Sequence, residues 1–110
     1  MNKGNIVLVD LEPTIGAEMN KTRPCLIISP DEMNDVLRTV QIAPITSVER
    51  ELPTRVFIKA TRGSGLDKDS YVVLDQLKTI DKKRVMRSIG KISDDELEEV
   101  CDALCQMFAY

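Results

Sequence analysis

The chain has 110 residues and a formal net charge of −3, a length that predicts a single domain over residues 1–110. Hydrophobic residues make up 43% of the sequence but aromatic residues only 4%, which predicts a core of aliphatic side chains and excludes a disordered chain. No residue is a histidine, which excludes Ser-His-Asp and Cys-His triads and catalysis by paired histidines.

The charged residues are unevenly distributed along the chain. Residues 1–90 contain 14 Lys/Arg and 12 Asp/Glu, whereas residues 91–110 contain one Lys and six acidic residues. The body is therefore mildly basic, which is compatible with nucleic-acid binding. The three cysteines form no CxxC pair, and no apolar run resembles a signal peptide or a membrane span. These features predict a cytoplasmic protein without a metal site, other cofactor or membrane association.

The first half of the sequence is predicted to contain several short strands. β-Branched runs predict strands at residues 6–11, at 25–29 and at 39–45, the last bulged or broken near Pro44. The polar residues 12–22 predict a loop, because Pro13 and Gly16 interrupt them. Arg23 and Pro24 open the second strand, where a proline is tolerated. Residues 30–35 are predicted to form a turn or one helical turn.

The second half is predicted to add strands and one terminal helix. Alternation at residues 54–60 predicts a half-buried strand, and residues 62–65 a turn. Residues 70–80 form one long strand or two segments around Asp75. A helical turn at 82–87 and a strand at 88–92 follow.

The terminal helix has the clearest local signal. Ser93 and Glu96 form a capping box, and an apolar face follows at Leu97, Val100, Cys101, Leu104, Met107 and Phe108. The predicted fold is mainly β with α: a small, strongly curved barrel with a C-terminal helix packed on it.

Four stretches, in order and in register, resemble the MazF/PemK toxins. The first is the opening, Gly4-x-Ile6-Val7-x-Val9-Asp10-Leu11-x-Pro13-Thr14-x-Gly16-x-Glu18 and then Lys21-Thr22-Arg23-Pro24. The others are Pro44-Ile45-Thr46-Ser47, Leu74-Asp75-Gln76-Leu77-Lys78-Thr79-Ile80-Asp81, and the capped C-terminal helix. Each stretch alone is weakly specific, but together they cover essentially the whole chain. The resemblance implies an SH3-like barrel of the CcdB/PemK type that forms a homodimer. It also implies an endoribonuclease that cleaves single-stranded RNA and is inhibited by a cognate antitoxin.

The resemblance also implies which residues carry the chemistry. The family's arginine before the proline falls on Arg23, and its threonine falls on Thr46. An arginine fork and a hydroxyl suit cleavage by the ribose 2′-hydroxyl, because the substrate supplies the nucleophile and needs charge stabilised on its phosphate. The products would be a 2′,3′-cyclic phosphate and a 5′-hydroxyl, formed without a metal ion. The predicted RNA-contacting residues are Glu18, Asn20, Lys21, Ser47, Gln76 and Lys78.

The general base stays open, because arginine is a poor base near neutral pH. Asp75, Glu18 and water are the candidates, and Asp75 is included among the predicted catalytic residues. Some members of the family use a histidine and an arginine at positions occupied here by Ala17 and Val73, so the Arg23–Thr46 mechanism is favoured. Two alternatives remain, a toxin of the same fold that poisons gyrase and an inactive RNA-binding module. The gyrase poisons depend on a C-terminal tryptophan, and this chain has none.

Overall fold

The computed structural model of the protein describes residues 1–11 and 21–109. Within these residues it contains seven strands and two α-helices, with two short 3-10 turns at Leu74–Gln76 and Lys82–Arg84. The strands are β1 (Asn5–Asp10), β2 (Thr22–Ile27), β3 (Thr39–Thr46), β4 (Arg55–Ile58), β5 (Ser70–Val73), β6 (Lys78–Asp81) and β7 (Val85–Lys91), and the helices are α1 (Asp31–Val36) and α2 (Asp94–Met107).

The strands form one antiparallel sheet in the order β4-β5-β3-β2-β1-β7, with β6 also paired to β3. The β1–β7 register shifts twice, between Ile6 and Val7 and between Leu8 and Val9. Such irregularities increase the local twist and bend the sheet. The path ends at β4 and β7 without closing. The prediction of a mainly β, strongly curved barrel-like sheet with a C-terminal helix is confirmed.

Alternating side chains of the curved sheet supply two aliphatic clusters. The inner cluster packs against α2 and contains Ile6, Leu26, Ile28, Ala43, Ile45, Val56, Ile58, Val72, Leu74, Ile92 and Val100. The opposite faces of the strands contribute Val7, Val9, Leu11, Cys25, Ile27, Val40, Ile42 and Ile80. The period-two alternation of strands explains this division, because neighbouring residues point to opposite faces. No aromatic residue belongs to either cluster of the described chain.

Helix α2 begins at the capping box predicted from the sequence. The Ser93 hydroxyl accepts from the Glu96 amide at 3.1 Å, and a Glu96 carboxylate oxygen accepts from the Ser93 amide at 2.9 Å. Val100 is buried against the inner cluster. Phe108, predicted to lie on the apolar face, is instead 71% exposed, because the helix ends at Met107. Neither helix in the described part of the chain is long and apolar enough to cross a bilayer.

Two ambiguous stretches are resolved by strand pairing. Strand β3 runs unbroken through Pro44, where a bulge or break was expected, because one edge of β3 changes partner there. Residues 39–42 pair with β6, and Ile45 and Thr46 pair with β5. Residues 70–80 form two strands around the 3-10 turn that contains Asp75. Strand β7 begins at Val85, earlier than predicted, because Val85 pairs with Val9 of β1.

Candidate active site

A cleft opens where strands β2 and β3 stop pairing. Their ladder runs from Ile27↔Ile42 to Cys25↔Pro44. Extending this register by two residues would place Arg23 opposite Thr46. Pro24 and Pro44 have no backbone N–H to donate, so the ladder is weak at this end. The sequence Arg23-Pro24 therefore ends the pairing and positions an arginine side chain at the opening.

The cleft has a volume of about 470 Å³. Arg23 and Thr46 both line it, so the structure brings together the two residues predicted to act on one phosphate. Ser47, a predicted RNA contact, lines it as well. The remaining lining residues are Pro24, Ile45, Val48, Leu66, Asp67, Lys68 and Ser70. No residue of the acidic helix α2 is among them, so the charge of this cleft is set by the body of the protein.

The guanidinium of Arg23 is held against the strand that it faces. Its Nη1 donates to the carbonyl oxygen of Ile45 at 3.3 Å. Its Nε is buried and has no hydrogen-bond partner among residues 1–11 and 21–109. A buried N–H without an acceptor is unfavourable, since it has lost its hydration. The arginine is thus anchored at one nitrogen and retains donors that can bind an oxyanion.

Thr46 is 8% exposed and lies at the end of β3. Its Oγ1 accepts a hydrogen bond from the Val48 amide at 3.2 Å. A hydroxyl has one proton to donate in addition to its acceptor sites. This amide contact fixes the hydroxyl oxygen in place, which leaves its proton available for a group in the cleft.

Part of the cleft lining comes from the loop after β4, which the sequence identified only as a turn. Leu66, Asp67 and Lys68 of this loop line the cleft, and their contribution was missed. The loop is anchored to β7, because the Lys91 amide donates to the Gly63 carbonyl at 2.9 Å. Nothing local in the sequence indicates this contact. The run Asp67-Lys68-Asp69 was the available signal, as charged residues directly after a glycine turn.

Asp75 lies outside the cleft lining and is engaged by a neighbouring strand. Its Oδ1 accepts from Arg55 Nε at 2.8 Å and from Thr54 Oγ1 at 3.0 Å, and its Oδ2 accepts from Arg55 Nη2 at 3.2 Å. The hydrogen bond from Arg55 is the main reason that the pKa of Asp75 lies below its usual value of 3.8. Such stabilisation of the carboxylate makes it a weaker proton acceptor.

The other predicted RNA-contacting residues lie in different elements of the fold. Gln76 follows Asp75 in the 3-10 turn, and Lys78 begins β6. Lys21 is exposed, has a left-handed backbone with φ of 68°, and precedes β2. Glu18 and Asn20 lie outside the described residues, as does Ala17.

Cys25 lies on the same face of β2 as Arg23, two residues further along the strand. Burial raises the pKa of its thiol to about 12, although the charges of Arg23 and then Lys78 act in the opposite direction. At neutral pH the thiol is therefore protonated and a poor nucleophile.

Comparison with known proteins identifies the family. The model for PemK-like, MazF-like toxins of type II toxin-antitoxin systems matches residues 2–108. The endoribonuclease MazF of Staphylococcus saprophyticus is 37% identical over 106 residues, covering 94% of this chain and 88% of that protein. A crystal structure of MazF from Deinococcus radiodurans superposes with a TM-score of 0.85 at 26% identity, covering 100% of this chain and 97% of the other. The Mycobacterium tuberculosis toxin MazF-mt6 superposes with a TM-score of 0.80 at 29% identity, covering 94% and 95%. The chain belongs to the PemK-like, MazF-like toxins of type II toxin-antitoxin systems.

Proposed function

We propose that this toxin is an endoribonuclease that cleaves single-stranded RNA through attack of a ribose 2′-hydroxyl on the adjacent phosphate. The bond from phosphorus to the 5′-oxygen breaks, which leaves a 2′,3′-cyclic phosphate and a 5′-hydroxyl. The observation that carries the proposal is the presence of the Arg23 guanidinium and the Thr46 hydroxyl in one cleft. The 37% identical relative named as an endoribonuclease supports the same activity.

Arg23 stabilises the charge that develops on phosphorus. Its guanidinium stays protonated at any physiological pH and presents N–H groups in a planar fork that matches two phosphate oxygens. The anchor to Ile45 fixes the guanidinium before substrate arrives, so that little reorganisation accompanies the reaction. Lys68 also lines the cleft and adds a second positive charge to it.

Thr46 supplies a neutral donor to the same phosphate. We expect Thr46→Val, which keeps the shape and removes the hydroxyl, to lower the single-turnover cleavage rate by about 10²-fold. Thr46→Ser should restore most of the rate, because the serine oxygen can still accept from the Val48 amide. Rates of the two variants, measured with saturating RNA and compared with their melting temperatures, check this expectation. Equal rates for Thr46→Val and the parent would remove Thr46 from the mechanism.

The proton acceptor in this proposal is Asp67. Among the described residues it is the carboxylate that lines the cleft, whereas Asp75 is paired with Arg55. A carboxylate near the 2′-hydroxyl can accept its proton as the new P–O bond forms. The catalytic role first predicted for Asp75 stays a prediction, as does that of Glu18.

Matched amide variants separate these carboxylates. We expect Asp67→Asn to slow cleavage by about 10²-fold or more. Asp75→Asn should keep most of the rate but lose stability, because Arg55 loses its partner. That stability difference should shrink as the pH falls through the lowered pKa of Asp75, since protonation breaks the same ion pair in the parent. Pre-steady-state rates and thermal melts across acid pH measure both effects. An unchanged rate in Asp67→Asn would exclude Asp67 as the base.

The partners follow from the family and from the cleft. A toxin of a type II system has a cognate antitoxin, and we propose an acidic antitoxin segment that occupies the cleft and excludes RNA. Ser47 of the cleft lining, together with Lys21, Gln76, Lys78, Glu18 and Asn20, is proposed to contact RNA. The chain is further proposed to act in the cytoplasm, where its RNA substrate is present, as a homodimer that buries surface a 110-residue domain leaves exposed.

A cleavage assay in excess EDTA tests the activity and its independence of metal together. Purified protein is incubated with a long single-stranded RNA, and the ends of the fragments are mapped. Discrete fragments with 2′,3′-cyclic phosphate and 5′-hydroxyl ends are the expected result. RNA that is retained but remains intact with and without added divalent metal would refute the nuclease and identify a binding module instead. Cleavage that EDTA abolishes would refute metal independence.

A further inference from the structure

Two of the four aromatic residues of the chain lie side by side on the protein surface. Phe57 of β4 and Tyr71 of β5 have ring centroids 5.6 Å apart, with an interplanar angle of 66°. Phe57 is 46% exposed, and Tyr71 is partly exposed. An edge-to-face pair of this kind is normally part of a core, where its large apolar area is removed from water. Here the core of the described chain is aliphatic, and the aromatic pair faces outward.

The strand register connects this pair to the cleft. Thr46 of β3 pairs with Tyr71, and Tyr71 pairs with Phe57. Directly opposed residues in antiparallel strands point to the same face, with their Cβ atoms about 5 Å apart. Thr46, Tyr71 and Phe57 therefore form one row across three strands, which we call the aromatic row. It begins at the cleft and leads away from Arg23.

The charges around the row determine which part of a nucleic acid can contact it. The carboxylate of Glu49 lies beside the Tyr71 hydroxyl, and Asp69 is also close enough to influence it. Arg55, two residues before Phe57, is occupied by Asp75. A phosphate would be repelled here and attracted to Arg23 and Lys68 in the cleft. A nucleobase is uncharged and has two apolar faces, so it can cover the exposed rings.

We propose that Phe57 and Tyr71 form a stacking platform for a nucleobase that flanks the scissile phosphate. The inference rests on the proposed nuclease function, because it places the phosphate between Arg23 and Thr46. The RNA backbone then runs through the cleft, and the neighbouring base turns onto the aromatic row. Stacking tolerates any base, so the platform contributes affinity and orientation for single-stranded RNA more than sequence readout.

The test measures binding separately from cleavage. The probe is a random-sequence pool of single-stranded 2′-O-methyl oligonucleotides with 2-aminopurine at one fixed position. These oligonucleotides cannot be cut by 2′-hydroxyl attack, because every 2′-oxygen is methylated. Phe57→Leu and the Phe57→Leu/Tyr71→Leu double variant keep apolar bulk and remove the aromatic faces. We expect the double variant to bind about 5- to 150-fold more weakly, the range seen when base-stacking aromatics are removed. Quenching of 2-aminopurine on binding should decrease in parallel.

Two controls make the outcome specific. Phe108→Leu removes an exposed ring outside the row and should bind like the parent. Tyr71→Phe keeps the ring and removes the contact with Glu49, so it should also retain affinity. If the double variant fails to fold, the exposed single variant Phe57→Leu carries the test. Parental affinity and quenching in the leucine variants would overturn the platform. Loss of a dimer by these variants, with unchanged RNA affinity per subunit, would assign the pair to a subunit interface and overturn it as well.

The experiment also distinguishes the platform from the nuclease. If the parent binds the pool through the aromatic row but cuts no RNA, the nuclease proposal fails, and with it the scissile phosphate, whereas stacking of a base on Phe57 and Tyr71 is retained. If the parent cuts RNA and the leucine variants bind and cut normally, only the platform fails.

Discussion

Replacing Arg23 with alanine is expected to abolish measurable RNA cleavage while the protein remains folded. The substitution removes the positive charge and the guanidinium fork from the cleft that it shares with Thr46. Loss of a single preorganised donor slows related reactions by about 10²–10³-fold, and Arg23 supplies more than one donor. Arg23→Lys should recover part of the rate at most, because an ammonium group keeps the charge but cannot bind two oxygens in a plane.

The Arg23 prediction is measured as a single-turnover rate, with melting temperature and circular dichroism as controls for folding. Arg62→Ala is the control, because it removes an arginine from an exposed loop position outside the cleft lining. We expect this control to cleave RNA at close to the parent rate. Cleavage at the parent rate by Arg23→Ala would show that another group stabilises the phosphate.

The second large effect is expected from Gly65→Ala, at a position that does not itself line the cleft. Gly65 has a left-handed backbone with φ of 71°, and an added Cβ would lie 2.1 Å from the carbonyl oxygen of Ile89 in β7. The left-handed conformation alone costs an L-residue about 1–2 kcal/mol, and the collision with a strand adds to this. We expect the melting temperature to fall on the order of 10 °C.

The same substitution should also reduce activity, because Gly65 directly precedes the wall of the cleft. Relief of the collision with Ile89 must displace the loop that contains Leu66, Asp67 and Lys68, and a displacement of about 1 Å at a reaction centre can cost 10²-fold in rate. Gly63→Ala is the control within the same loop, since its Cβ would contact nothing nearer than Thr61 Oγ1 at 3.8 Å. Equal melting temperatures and rates for the two alanine variants would show that the loop is not held by β7 as described.

Local signals explain which parts of the fold were predictable. The capping box of Ser93 and Glu96 involves residues three apart, and the aliphatic strands alternate within a few residues, so both could be identified from the sequence. The unbroken β3 could not, because its continuity at Pro44 depends on a change of partner from β6 to β5. The exposure of Phe108 depends on where α2 ends relative to the sheet.

The residues of the candidate site also differ in how far the sequence could identify them. Arg23 and Thr46 were identified through family resemblance, and the structure places them in one cleft, but their catalytic role stays a prediction. The wall formed by Asp67 and Lys68 depends on contacts between a loop and β7, which no local pattern shows. The ion pair of Asp75 depends on Arg55, which lies 20 residues away in the chain. The choice of Asp75 as a candidate base was therefore made without knowledge of this tertiary partner.

The most direct measurement of the central claim uses an RNA that spans a mapped cleavage site and carries one 2′-deoxy sugar at the scissile position. If Arg23 and Thr46 only stabilise a phosphate that the neighbouring ribose attacks, the all-ribose RNA is cut and the singly substituted RNA remains intact, although both bind equally well. Cleavage of the 2′-deoxy substrate at the rate of the all-ribose RNA would contradict internal attack, and with it the mechanism assigned to this cleft.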